Sequence, residues 1–216
     1  EAELTHGLKV QIGSMTLTTP VAAMFDLSPI AARLGRPLPA ILGGDLLKQV
    51  VVDIDFQART IAFYDPDTYT PPAGAILVPL TMTDKVPSVS ASIEGGPEVS
   101  FDFDMGNATP VLVFPAYWQP RHMLEGRRSS KSHGGGAAGL SDEFETTLKT
   151  VTFAGVTMHD VPAALAMPGA GAADSGRRSG NMGMPIYSRF RVITDYSHSR
   201  LWVIPNATTA TAPFRR

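Results

Sequence analysis

Asp104-Met105-Gly106 carries the strongest chemical signal in this sequence. It lies within the stretch from Val99 to Val113 (VSFDFDMGNATPVLV), where an alternating strand runs into an acid, the acid into a glycine turn, and the turn into a second apolar strand. A carboxylate held at the end of a strand can take or give a proton. Glycine after the acid lets one backbone approach another, where a Cβ would obstruct the turn. Asp-x-Gly also marks ordinary turns, so the weight of the triplet depends on what surrounds it. Asp102, two residues earlier, shares the strand face of Asp104 but lacks the glycine.

Other chemistries are poorly supported. Cysteine is absent, which removes disulfides, thiolate metal sites and a cysteine nucleophile. The five histidines show no ligand spacing for zinc, so no metal site is expected. No Gly-x-Ser-x-Gly elbow is present for a serine nucleophile. The glycines at 134–136 beside His133 lack the Lys-Ser/Thr and helix that a phosphate loop needs. A formal net charge of -2 implies no polyanion, so nucleic acid is not an expected partner. No apolar run reaches the roughly 20 residues that span a bilayer.

The elements that must position Asp104 are organised as a repeat. Residues 41–56 (ILGGDLLKQVVVDIDF) align without a gap on residues 181–196 (NMGMPIYSRFRVITDY), so that Gly43 falls on Gly183, Asp55 on Asp195 and Phe56 on Tyr196. Each copy reads as a glycine turn, a short helix, a strand, an Asp-aromatic turn and a final strand. Upstream, residues 8–17 resemble residues 148–158, each pair reading as two strands around a Gly-containing hairpin turn. Gly43 and Gly183 are expected as structural turn residues. Asp55 and Asp195 are expected to cap their own turns. A short helix is predicted over 26–35, with Ser28 as N-cap, Pro29 at the first position and Gly35 at the end. Another is predicted to begin at Pro115. The stretches 129–139 and 169–180 read as glycine- and serine-rich loops.

These patterns divide the chain into four parts. Residues 1–66 form the back half of a first lobe, 67–74 a proline-containing linker, 75–206 a complete second lobe and 207–216 a polar tail. The fold class expected is mostly β, with two similar β-barrel lobes, one complete and one partial, and a few short helices. Nothing within residues 1–40 supplies an Asp-x-Gly counterpart to Asp104. An N-terminal segment bearing one is therefore expected outside this sequence.

At these residues the chain resembles bacterial retropepsin-like aspartic peptidases, a family of pepsin-like β-lobes. The resemblance runs over residues 8–206 and rests on Asp104-Met105-Gly106 and on the ILGGDLL and GNMGM segments. It implies a hydrolase in which two carboxylates about 3 Å apart share one proton and activate a water against a peptide bond. No metal or organic cofactor is then needed. It implies Asp104 as one catalytic acid, with Met105, Gly106 and Asn107 forming its turn. His133, Gly134, Gly135 and Gly136 would belong to a mobile flap that closes over the substrate. Met105 departs from the family's Thr or Ser and brings no hydroxyl to the site. The second acid must come from a missing N-terminal segment or from a second chain. The partner is a peptide or protein substrate, and the implied location is periplasmic or secreted. The alternative function is a catalytically inactive relative that binds extended peptides.

Overall fold

The computed structural model describes residues 3–83, 86–136, 139–169 and 176–214. Among the described residues it is mostly β, with four short helices. In chain order the elements are β1 (Glu3–Ile12), β2 (Met15–Met24), α1 (Ser28–Leu34), α2 (Gly44–Leu47), β3 (Val51–Asp55), β4 (Thr60–Tyr64), β5 (Ile76–Pro79), β6 (Thr81–Thr83), β7 (Val86–Ile93), β8 (Val99–Asp104), β9 (Val111–Val113), α3 (Pro115–Trp118), β10 (Ser130–Gly136), β11 (Gly139–Phe153), β12 (Val156–Ala166), β13 (Gly180–Gly183), α4 (Met184–Tyr187), β14 (Phe190–Asp195) and β15 (Arg200–Pro205). Among the described residues no helix is long and apolar enough to cross a membrane.

The largest sheet runs β10-β11-β12-β9-β13-β8-β7-β6, and β11 also pairs with β7 through Val151–Ile93 and Thr152–Ser92. That extra pairing closes the ring β11-β12-β9-β13-β8-β7 into a small barrel. Closure leaves no open edge within the ring. The period-2 alternation of the strands fills it: Val89, Ala91 and Ile93 of β7, Phe101 and Phe103 of β8, and Val111 and Val113 of β9 all point into the core. Met182, Ile186, Tyr187 and Phe190 complete it from the repeat segment. Phe153 packs edge-on to both Tyr187 and Phe190 at 5.7 and 5.5 Å between ring centroids.

A second sheet, β4-β3-β14-β15-β5, joins the two copies of the repeat. The alignment of the copies is reproduced in the backbone: α2 and α4 occupy aligned residues, and Gly43 and Gly183 are both their extended N-caps. β3 pairs antiparallel with β14 from Arg191–Asp55 to Asp195–Val51, so the central pair is Asp53–Ile193. Asp55 and Asp195 cap the turns that follow their strands, as their spacing predicts: Asp55 accepts from the N–H groups of Gln57 and Ala58, and Asp195 from that of His198.

The copies differ in what surrounds them. β13 lies between β8 and β9, whereas its counterpart, residues 40–43, forms no strand, and Ile41 is 60% exposed. The β1–β2 hairpin packs on α2 and β3 only near its turn, through Val10, Ile12, Met15 and Leu17 against Leu46, Val50 and Val52. Its far end leaves Leu4, Val21 and Met24 exposed.

Two local expectations are corrected. The N-cap of α1 is Leu27 rather than Ser28, because Asp26 takes the Ser28 N–H at 2.9 Å in a turn of its own and the helix begins at once. Gly35 ends it in the left-handed conformation, as expected. Most of residues 129–139 form strand rather than loop, since β10 pairs with β11 from Ser130–Glu145 to Gly136–Gly139. A long neighbouring strand supplies the backbone partners that a glycine-rich segment needs to stay extended. Part of the second glycine-rich stretch, 170–175, lies outside the described residues.

Candidate active site

Asp104 is the last residue of β8, and its position follows from the two strands that flank the segment below it. β13 runs parallel to β8, with Gly183 opposite Asp104, and antiparallel to β9, with Met182 opposite Val111. It is threaded between the two strands that lead into and out of the Asp104 turn. The fit has no room for side chains at its ends. A Cβ on Gly183 would overlap the carbonyl oxygens of Thr109 and Asn107, and one on Gly180 would overlap the Leu112 carbonyl and the Phe101 ring. The Gly183 N–H donates to the Pro110 carbonyl and the Met184 N–H to the Asn107 carbonyl, both at 2.9 Å. These bonds lock the turn onto β13.

Within this frame the carboxylate of Asp104 is half-buried and bonded at both oxygens. Oδ1 accepts from the Gly106 N–H at 2.9 Å, and Oδ2 from Nδ2 of Asn181 at 2.8 Å. Behind it, Asn107 Nδ2 donates to Asn181 Oδ1 at 2.8 Å, and Asn107 Oδ1 accepts from the Thr109 N–H at 2.8 Å. Met105 turns away and packs against the barrel core. The turn residues Met105, Gly106 and Asn107 are thus divided between packing, backbone donation and a side-chain relay.

Beneath the site sits Tyr187, fully buried, its ring edge-on to Phe103 at 4.6 Å. Burial, with the negative charges of Asp104 and Asp102 nearby, pushes its hydroxyl well above the ordinary tyrosine range. That hydroxyl has no hydrogen-bond partner among the described residues. Asp102 shares the face of Asp104 but is buried and ion-paired with Arg178 at 2.6 Å. Its charge is neutralised from within the chain.

A cleft of about 630 Å³ lies beside the turn, lined by Ala108, Thr109, Pro110 and Pro185, by the base of the β10–β11 hairpin at Ser130, Glu143 and Glu145, and by Pro162, Ala163 and Ala164 of β12. His133 and Asp142 face each other across this hairpin at 2.6 Å, both exposed. Gly134 backs onto the carboxylate of Glu143, which a Cβ there would overlap. Gly135 and Gly136 continue β10 toward the hairpin tip, whose residues 137–138 lie outside the described set. Glu143 is buried, and burial, with the neighbouring Glu145, pushes its carboxyl above the ordinary range.

Asp104, Gly106, Asn107 and Gly183 are thus brought together, whereas His133 and Gly134–Gly136 lie further along the β10–β11 hairpin than the residues that line the cleft. Gly43 stands apart, at the N-cap of α2. Asn181 is the contact that sequence reasoning missed. The signal was a polar side chain where the other copy of the repeat has Ile41.

No protein-family model matches the sequence, and no curated protein matches it. Among solved structures, a retropepsin-like aspartic protease from Rickettsia conorii matches with a TM-score of 0.44 and 16% sequence identity, over 60% of this chain and 89% of that chain.

Proposed function

We propose that this chain belongs to an aspartic endopeptidase, with Asp104 as one of two carboxylates that activate a water against a peptide bond. The observation that carries the reading is the setting of Asp104: a strand-end carboxylate, bonded at both oxygens, on a turn locked by β13. The cleft beside the turn, with the base of the β10–β11 hairpin in its wall, suits an extended peptide under a flap. In this reading the chain divides into a partial first lobe (1–66), a linker (67–74), a complete second lobe (75–206) and a tail (207–216). The setting is periplasmic or secreted.

The chemistry needs a second acid, since two carboxylates at about 3 Å cannot both ionise and so share a proton. The ionised one takes a proton from the bound water, while the protonated one donates to the substrate carbonyl as charge grows on its oxygen. The other buried aspartates serve elsewhere: Asp53 binds Arg191, Asp102 binds Arg178 and Asp195 binds Arg200. We assign the second acid to a polypeptide segment outside this sequence. What supports this is that residues 40–43 form no strand, whereas their counterpart β13 lies between β8 and β9. A second copy is the weaker source, since the repeat already supplies the back half of a first lobe within this chain.

A second reading is an inactive relative that binds extended peptides. Met105 favours it, because no hydroxyl is supplied where the family places one. Cleavage of a mixed peptide library by the full-length protein, from about pH 3 to 8, decides between them. Loss of cleavage in Asp104→Asn supports the peptidase. Peptide binding without turnover in both proteins supports the binder, and equal cleavage by both removes Asp104 from the mechanism.

A further inference from the structure

We infer that Asn181, with Asn107 behind it, is a positioning residue that fixes the rotation of the Asp104 carboxylate within the proposed carboxylate pair. This rests on the reading of Asp104 as half of such a pair.

The argument is one of hydrogen-bond polarity. Asn side chains can be turned end for end, so their amide orientation must be fixed by a neighbour with only one role. Here that neighbour is the Thr109 backbone N–H, which can only donate. The atom of Asn107 lying 2.8 Å from it is therefore the carbonyl oxygen Oδ1. This turns Nδ2 of Asn107 toward Asn181, whose facing atom at 2.8 Å must then be its own Oδ1. Nδ2 of Asn181 is left pointing at Asp104 Oδ2, again at 2.8 Å. Flipping either amide would set donor against donor or acceptor against acceptor. On the other side of the carboxylate the Gly106 N–H also can only donate. Both oxygens of Asp104 thus face donors whose polarity is fixed by the backbone. Donors at both oxygens fix the direction in which the carboxylate faces.

The surrounding groups leave this task to the amides. On the same strand, Asp102 is paired with Arg178. From α4, Tyr187 presents a hydroxyl held neutral by burial, and after β14, Tyr196 has its hydroxyl pushed up to about 12 by burial and by Asp104. Among the described residues no lysine or arginine bonds Asp104, so amide N–H groups rather than a cation hold its carboxylate. The arrangement is also one-sided. The repeat places Ile41 where Asn181 stands, and isoleucine has no donor to offer. Met105 brings no hydroxyl, and the amide relay takes over the steadying of the acid.

The test has two readouts. The Nδ2 protons of Asn181 are followed by ¹H–¹⁵N NMR in the parent and in Asp104→Ala, where the signal of the bonded proton is expected to move upfield as its acceptor is removed. In the full-length protein, Asn181→Leu, which keeps the size and removes the donor, is expected to lower kcat about tenfold or more with KM little changed, Asn107→Leu less, and Asn181→Gln, which keeps an amide, less still. A purely structural role would lower the yield of folded protein and not kcat per folded molecule. If the amide signal moves but the parent cleaves no peptide, the relay stands and the peptidase reading falls. If Asn181→Leu does not fold, Asn107→Leu decides by the same readout. An Asn181 amide signal unmoved in Asp104→Ala, or an unchanged kcat in the folded variant of an active parent, overturns the inference.

Discussion

Asp53 and Ile193 face each other at the centre of the β3–β14 ladder, and they are the same position in the two copies of the repeat. An approximate two-fold axis therefore passes between them and relates α2 to α4, β3 to β14 and β4 to β15. At this centre an ion pair departs from the symmetry. Asp53, only 3% exposed, accepts from Nε and Nη2 of Arg191 at 2.8 and 2.6 Å and from the Tyr69 hydroxyl at 3.3 Å.

Arg191→Met leaves the Asp53 carboxylate buried without its cation, and removing one partner of a buried pair costs about 3 kcal/mol. Denaturant unfolding at neutral pH is expected to show a loss of that order. Adding Asp53→Leu to the same chain should recover most of it, because the residual cost is the stranded charge. A double variant as unstable as the single one would show that the pair itself, rather than the orphaned carboxylate, sets the loss.

Gly43 and Gly183 occupy aligned positions, yet alanine should separate them. At Gly183 a Cβ meets the Thr109 and Asn107 carbonyls, backbone atoms that cannot rotate away. At Gly43 it meets nothing within 4 Å, and φ is -82°. Gly183→Ala is expected to cost about 3 kcal/mol or more through overpacking. Gly43→Ala should cost less than about 1 kcal/mol, the small preference of an N-cap for glycine over alanine. Thermal unfolding of the two variants checks the contrast, and equal losses would refute the threading of β13 as its cause.

Much of this arrangement was legible in the sequence because it is local. Glycine followed by a short helix, a β-branched strand and an Asp-aromatic turn fixes its own geometry within a few residues, and so the repeat could be read at Gly43 and Gly183. The hairpin strand β10 was read as loop because Gly134, Gly135 and Gly136 have low strand preference, and only the length of β11 overrides it. Asn181 was illegible as a partner of Asp104 for a different reason. The two are distant in sequence and meet only because β13 is threaded beside β8. No periodicity encodes a contact made by topology.

Asp195 ties stability to acid. Burial raises its carboxyl, but hydrogen bonds from Ser197, Arg200 and His198 outweigh that and hold it below the ordinary value of 3.8. A folded value below the unfolded one means that its contribution is fully present above about pH 4 and is lost as pH falls through the folded value. In Asp195→Asn the protein should be less stable at neutral pH, and its stability should fall less steeply between about pH 4 and 2. Urea midpoints across that range measure the slope. An unchanged acid limb would assign the acid sensitivity to other carboxylates.

Glu143 has the opposite sign. Burial, with the adjacent charge of Glu145, lifts its carboxyl above the ordinary value of 4.5, against a weaker opposing bond from Ser132. In the folded chain the charged form is therefore disfavoured, and stability falls as pH rises from the unfolded value through the folded one. Glu143→Gln keeps the shape over Gly134 and removes the charge. It should be more stable than the parent at neutral pH, and the gain should shrink to nothing below about pH 4, where both states of the parent carry the proton. Urea unfolding of the pair at neutral and acid pH provides the check. A variant that is less stable at neutral pH would mean that the Glu143 charge is satisfied in the folded chain, contrary to its burial beside Glu145.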